Sequence, residues 1–109
     1  MNGNPRLVVG STTTSYALYQ SNTLISANTW YHGAVTFDSV NGHKMYINGV
    51  LDNTSANVTL SLASGIQIGA FSNGNLFNGN IGSPMIYNRE LSANEIQQNF
   101  NALKGRYGL

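Results

Sequence analysis

Carboxylates are the first side chains to examine for catalysis, because a pair of them can serve as acid and base. The chain has four: Asp38, Asp52, Glu90 and Glu95. A retaining glycosidase holds its two carboxyl groups about 5 Å apart. No predicted strand carries two of these acids, and the position of Glu95 fits a helix cap instead. The sequence therefore predicts a protein without enzymatic activity.

The other residues that commonly perform catalysis give no stronger signal. The chain has no cysteine, which excludes disulfides, thiolate nucleophiles and thiolate zinc sites. His32 lies in a predicted strand, where packing with one hydrogen bond is its expected role. His43 follows a turn and is expected to be solvated. No serine lies in a nucleophile-elbow context.

Aromatic and amide side chains offer a second kind of chemistry, the binding of a sugar. An aromatic ring packs against the C–H face of a sugar while amides hydrogen-bond its hydroxyls. Such residues occur in an asparagine-rich loop and in the tyrosine-containing strands. The candidate ligand-binding residues are Asn73, Asn75, Phe77, Asn78, Tyr16 and Tyr19. The competing interpretation is a solvated loop of turn-forming asparagines, and Trp30 is assigned to core packing.

The composition limits the partners that these residues could serve. The chain has 109 residues, 41 % of them hydrophobic and only 8 % charged, with a formal net charge of +1. One globular domain spanning residues 1–109 is expected. The five cations form no cluster, so nucleic acid is not an expected partner. No apolar run is long enough for a membrane span, and the first residues lack the apolar core of a signal peptide.

Short β-branched and aromatic runs separated by Gly and Asn predict a chain of eight or nine strands. The longest is residues 30–37, in which Tyr31, Val35 and Phe37 share one face. Asn48-Gly49 is the dipeptide typical of a tight hairpin turn. The other predicted strands are 6–9, 15–20, 23–26, 44–47, a strand that starts at 50, 57–62, 66–71 and 80–87.

One helix is predicted near the C-terminus, and its start is clearly marked. Ser92 and Glu95 have the spacing of a capping box. Leu91 and Ile96 have the spacing of a hydrophobic staple. Gly105 is placed to end the helix. The apolar residues of the tail 106–109 are expected to fold back on the sheet.

Five segments in this order resemble the laminin-G-like and pentraxin-like domains of the concanavalin A-like lectin/glucanase group. The resemblance covers residues 29–103. It implies an all-β fold, an antiparallel β-sandwich of the jelly-roll kind with one short C-terminal helix. The end of the chain also resembles domains of marine phage structural proteins. The five segments are 30–38 (WYHGAVTFD), 44–51 (KMYINGVL), 66–69 (IQIG), 77–82 (FNGNIG) and 86–96 (IYNRELSANEI).

The chain is shorter than the members it resembles, and the early strands of that family have no counterpart. The expectation is a sandwich truncated at the N-terminus, with exposed sheet edges. Exposed edges pair with other chains, so a homo-oligomer is expected.

The resemblance also raises the question of Ca²⁺, which pentraxin-like relatives bind through the loop before their closing strand. Here that loop, residues 72–78, contains no carboxylate, whereas Ca²⁺ is normally bound by several oxygens that include carboxylates. Asp38 and Asp52 are the remaining metal candidates. The alternative is that these residues only form turns.

Two functions follow as expectations. One is a carbohydrate-binding or adhesion module of a larger extracellular or viral assembly, without catalysis. The alternative is a structural or decoration protein of a phage virion that acts through protein–protein contacts. Both place the chain outside the cell or in a virion, with no membrane insertion.

Overall fold

The computed structural model describes residues 8–10, 18–56, 70–71, 75–76, 78–82, 84–87 and 89–109. These residues form antiparallel strand pairs followed by one helix. The predicted strand 57–62 and most of the predicted strand 66–71 lie outside the described residues. The strands are β1 (Val8–Gly10), β2 (Leu18–Gln20), β3 (Gly33–Asp38), β4 (Gly42–Ile47), β5 (Val50–Ser55), β6 (Ala70–Phe71) and β7 (Asn75–Leu76), and helix α1 is Ala93–Leu103.

The largest sheet of the described residues has three antiparallel strands in the order β3-β4-β5. Strand β4 is central and is buried on both faces, with Met45 and Ile47 on one face and Tyr46 on the other. The Asn48-Gly49 turn joins β4 to β5 with φ values of 52° and 80°. These are the left-handed values of the predicted hairpin turn, which is therefore confirmed. Strands β1–β2 and β6–β7 form separate two-stranded pairs.

Strand β5 contains a bulge. Met45 pairs with Asn53 and Tyr46 pairs with Leu51, so Asp52 is an extra residue between the two pairs. A bulge of this kind redirects the side chains beside it. It turns Asp52 towards residues 22–23, which its carboxylate contacts.

Helix α1 begins as the sequence predicts. The Ser92 hydroxyl accepts a hydrogen bond from the Glu95 amide at 3.2 Å, and the Glu95 carboxylate accepts one from the Ser92 amide at 2.9 Å. Leu91 and Ile96 are both buried and pack with Tyr46 of β4. The capping box and the staple are therefore confirmed, and together they attach the start of the helix to the sheet.

The α-helix ends at Leu103 with Lys104 as its C-cap, so Gly105 directly follows the cap as predicted. The chain nevertheless stays helical, because a 3₁₀ turn, Lys104–Tyr107, continues beyond Leu103. Gly108 is the residue that adopts the left-handed conformation, with φ of 74°. The Leu109 amide then donates to the Lys104 carbonyl at 2.8 Å. The helical end is thus one 3₁₀ turn longer than Gly105 indicated.

Three predicted strands differ from those observed. Strand β3 begins at Gly33 because the next residue opposite, Asn48, belongs to the turn and bonds to His32 through its side chain. Residues 23–26 form no strand. Neither do the described residues within 80–87, where Pro84 has no amide to donate.

Candidate functional site

An aromatic pair at the surface is the most distinctive group of side chains in the described residues. The rings of Trp30 and Tyr107 lie with their centroids 4.5 Å apart at an interplanar angle of 45°. Trp30 is 37 % exposed, so its assignment to core packing was wrong. It precedes β3, where strand alternation no longer places a side chain inside. We call Trp30 and Tyr107 the aromatic platform.

Gly82 brings a second segment against the platform. A Cβ at this position would overlap the Tyr107 hydroxyl and lie 2.9 Å from Tyr107 Cζ. Only glycine permits this approach without a shift of the ring. Asn80 is exposed and precedes Gly82 by two residues, a chain path of at most about 7 Å. Asn80 therefore belongs to the segment that contacts the platform through Gly82.

The other predicted ligand-binding residues are placed unequally. Asn78 is exposed and belongs to the same segment as Asn80. Asn75 lies in β7 and Tyr19 in β2. Tyr16, Asn73 and Phe77 lie outside the described residues.

The platform was only partly visible in the sequence. The fold-back of the tail was predicted, and Tyr107 does pack inward, although against Trp30 rather than on the sheet. The useful signal was an aromatic residue in a glycine-containing tail directly after a helix. Nothing in the spacing of the sequence identified Trp30 as its partner.

A second aromatic contact joins helix α1 to the segment that contains Trp30. Phe100 packs against the His32 ring with centroids 5.7 Å apart, and Lys104 Nζ lies 5.6 Å from the centre of the Phe100 ring. Burial lowers the pKa of His32, which favours the neutral ring beside Phe100. The packing role of His32 is confirmed, but its ring Nδ1 is buried without a hydrogen bond among the described residues.

Asp52 holds a loop against the sheet. Its carboxylate accepts hydrogen bonds from the Asn22 amide at 2.5 Å, from the Thr23 amide at 3.2 Å and from the Thr23 hydroxyl. The Asn22 side chain donates in return to the Asp52 carbonyl at 2.7 Å. We call these three residues the Asp52 clasp. Both carboxylate oxygens of Asp52 are therefore engaged in hydrogen bonds that hold the loop.

Asp38 closes the turn between β3 and β4. It accepts hydrogen bonds from the Val40 amide at 2.8 Å and from the Asn41 side chain at 2.7 Å. The Val40 amide, followed by the Asn41 side chain, lowers the pKa of Asp38 below its ordinary value. This arrangement is the turn-forming alternative that the sequence left open for Asp38.

The two metal candidates do not converge. Asp38 lies on β3 and Asp52 on β5, with β4 between them and an offset of about three residues along the ladder. This register separates the carboxylates by more than about 10 Å. Within the described residues, no three His, Asp or Glu side chains group around a common point. Asp38 and Asp52 therefore do not fit a shared Ca²⁺ site.

Glu95 is the remaining carboxylate with a defined environment. The two terminal guanidinium nitrogens of Arg89 donate hydrogen bonds to its two carboxylate oxygens, at 2.9 and 2.6 Å. The bonds from Arg89, followed by that from the Ser92 amide, lower the pKa of Glu95 to about 2. This carboxylate is therefore ionised at neutral pH and is occupied by the cap and by Arg89.

His43 contradicts its predicted environment. It was expected to be solvated, but it is only 3 % exposed and packs against Phe37 with ring centroids 4.9 Å apart. The reason is topological, because His43 lies on the central strand and shares a face with buried Met45. Pairing on both sides of β4 could not be inferred from the turn that precedes it.

An uncharged apolar segment lies at the surface before the helix. The side chains of Ile81, Met85, Ile86 and Tyr87 are all exposed, Ile86 by 66 %. Tyr87 connects to the helix through a hydrogen bond that Asn99 donates to its hydroxyl at 3.4 Å. We call these four residues the exposed apolar segment.

No helix in the described part of the chain has the length and apolarity to cross a bilayer.

Comparison with known proteins adds a family and one related structure. The family described as the concanavalin A-like lectin/glucanases superfamily (Laminin_G_3) matches residues 1–97. No curated protein matches the chain. A crystal structure of an S-layer domain-containing protein from Clostridium thermocellum ATCC 27405 is similar over 81 % of this chain, with 24 % identity and a TM-score of 0.63. The chain spans 46 % of the length of that structure.

Proposed function

The chain belongs to the concanavalin A-like lectin/glucanase superfamily, and we propose that it is a carbohydrate-binding or adhesion module without catalytic activity. We propose further that residues 1–109 form one domain of the antiparallel sandwich kind, with the β3-β4-β5 sheet in one layer. The similarity to the clostridial structure supports this fold. That structure comes from an S-layer domain-containing protein, which supports an extracellular location.

The observation that carries the proposal is the aromatic platform. Trp30 is more than one third exposed, although its ring packs against that of Tyr107 at an interplanar angle of 45°. A partly exposed ring that is held by a neighbouring ring presents a restrained apolar surface, which suits the C–H face of a sugar. Asn80 and Asn78 lie on the adjoining segment as exposed amides, and amides can bind sugar hydroxyls.

The environments of the acids support binding without catalysis. Asp52 and Asp38 bond to backbone amides, and Glu95 bonds to Arg89 and Ser92. No strand of the described residues carries two acids at the close spacing that a retaining glycosidase needs.

A glycan array tests the proposal directly. We expect saturable binding to one sugar class, at least about tenfold weaker in Trp30→Ala, a loss of roughly 1.4 kcal/mol. Val40→Ala is the matched control, because Val40 is also exposed but lies in the β3–β4 turn. Because Asp38 and Asp52 are held apart, a Ca²⁺ chelator should leave binding unchanged. Absence of binding across the array, or equal binding by Trp30→Ala, would contradict the proposal.

The exposed apolar segment favours a second candidate, a structural module that works through protein–protein contacts, as in a virion. Contiguous exposed apolar side chains commonly mark an interface. The protein–protein contact that we test is self-association of this chain. Light scattering after size-exclusion chromatography measures the oligomeric state. Ile86→Lys should shift an oligomer towards the monomer, and Val40→Lys should not. A monomer at every concentration would exclude self-association.

A further inference from the structure

Asparagine followed by glycine can modify itself without an enzyme. The glycine amide nitrogen loses its proton and attacks the asparagine Cγ. A bond forms between that nitrogen and Cγ, the bond from Cγ to the side-chain nitrogen breaks, and ammonia leaves. Water then opens the succinimide ring at either carbonyl, giving aspartate or isoaspartate. The described residues contain three such pairs, at 41–42, 48–49 and 78–79.

Asn48 is held away from this reaction by its turn. Its side-chain oxygen accepts a hydrogen bond from the His32 backbone amide at 2.8 Å. The backbone amide of Asn48 donates to the His32 carbonyl, also at 2.8 Å. Gly49 is buried with φ of 80°, and a Cβ there would lie 3.0 Å from Phe100. The attack would require the side chain to leave His32 and the glycine to move inside a packed turn.

Asn41 is restrained in a different way. Its side-chain nitrogen donates to Asp38 at 2.7 Å. Gly42 is buried at the start of β4, where it pairs with Asp38 and has φ of 93°. The space beside its Cα is filled by the backbone of Ser55 and Ala56. Both partners of the reaction are thus fixed by the β3–β4 hairpin.

Asn78 has neither restraint. Asn78 and Gly79 are both exposed and belong to no helix or strand. Within the described part of the chain, the Asn78 side chain makes no hydrogen bond. From this contrast we propose that Asn78-Gly79 is a site of spontaneous deamidation in the folded protein, whereas Asn41-Gly42 and Asn48-Gly49 are protected.

The product alters the surface near the aromatic platform. An uncharged amide becomes a carboxylate, and the isoaspartate form also lengthens the backbone by one carbon atom. Asn78 lies four residues before Gly82, the residue that contacts Tyr107. The site would therefore introduce a negative charge on the segment that adjoins the platform. The reaction itself is independent of any carbohydrate binding.

Ageing of the intact protein in mildly alkaline buffer tests the proposal. Peptide mapping by mass spectrometry follows the replacement of NH₂ by OH at each asparagine. Isoelectric focusing follows acidic forms below the pI of about 8.1 that the composition predicts for the parent protein. We expect Asn78 to convert roughly tenfold or more faster than Asn48, since Asn48 must first lose a hydrogen bond. Asn2 and Asn73 also precede glycine and map to separate positions.

Two controls connect the ordering to the fold. In denaturant the three sites should convert at similar rates, because the restraints on Asn41 and Asn48 disappear. Gly79→Ala should slow conversion at Asn78 without affecting the other two sites, because the methyl group hinders the attacking nitrogen. Equal or faster conversion at Asn41 or Asn48 in the folded protein would overturn the proposal. So would an Asn78 that stays intact while a short peptide of the same sequence reacts to completion.

Discussion

Two neighbouring segments of the chain differ in the burial of their apolar side chains. Before the helix, the exposed apolar segment leaves Ile81 and Ile86 at the surface. A few residues later, Leu91 and Ile96 are buried against Tyr46. The difference lies in the partners rather than in the side chains. The second segment is fixed by a capping box and a staple, and the first has no regular strand pairing among its described residues. Hydrophobicity alone therefore does not decide burial.

The strongest test of this contrast removes one isoleucine from each segment. Ile96→Ala should lower the free energy of unfolding by about 2–5 kcal/mol, because the side chain is 2 % exposed and leaves a cavity against Tyr46 and Leu91. Ile86→Ala should change it by less than about 0.5 kcal/mol. Urea unfolding of both variants measures the difference. Equal effects would show that Ile86 is also buried in solution, for example in an oligomer.

The next largest effect on stability is expected where Gly82 contacts Tyr107 at the helical end. Gly82→Ala should cost about 1–2 kcal/mol and weaken carbohydrate binding, because the new methyl group displaces Tyr107 from its place beside Trp30. Gly105→Ala is the matched control, since nothing lies within 4 Å of its added Cβ. Thermal unfolding and the glycan array measure both effects. An unaffected Gly82→Ala variant would contradict the close approach.

The cap contributes less. Ser92→Ala should lower the free energy of unfolding by about 1 kcal/mol, because the Glu95 amide loses its acceptor. Ser92→Asp should restore most of that stability, since a carboxylate also caps a helix. Chemical denaturation distinguishes the two variants. If both lose equal stability, the cap is not what stabilises the start of α1.

The smallest effect is a pH dependence from Glu95. Its folded pKa, about 2, lies below the ordinary value of 4.5. The stabilisation is therefore fully present above pH 4.5 and is lost as the pH falls towards 2. Glu95→Gln should be less stable than the parent at neutral pH, with the difference shrinking in acid. Melting temperatures across this range measure it, with Asp38→Asn separating the contribution of Asp38, whose pKa is also lowered. A difference that grows in acid would refute the assignment.

Features governed by short-range rules were predictable from the sequence. The Asn48-Gly49 turn, the Ser92–Glu95 cap and the Leu91–Ile96 staple each depend on residues within five positions of one another, and all three are confirmed. The family and its antiparallel pairing were also recognisable, because several such signals follow in a fixed order.

Features governed by distant partners were not predictable. His43 is buried because β4 lies between two other strands, and that position depends on residues up to Ser55. Trp30 meets a ring that lies 77 positions later in the chain, at Tyr107. Alternation extended the predicted strand back to Trp30, but the pairing ends at Gly33 because the opposite strand turns at Asn48.

The bulge in β5 has a consequence for the length of the hairpin. Val50 and Leu51 pair on one side of Asp52, and Asn53 to Ser55 pair on the other. If Asp52 were deleted, each of these pairs could form in an uninterrupted ladder. The hairpin can therefore close without this residue, but the hydrogen bonds that the Asn22 and Thr23 amides donate to Asp52 would be lost. Shortening the chain by that single residue would remove the carboxylate that holds residues 22–23 and leave the strands in register, with the bond from the Asn53 side chain to the Gln20 carbonyl as a remaining link.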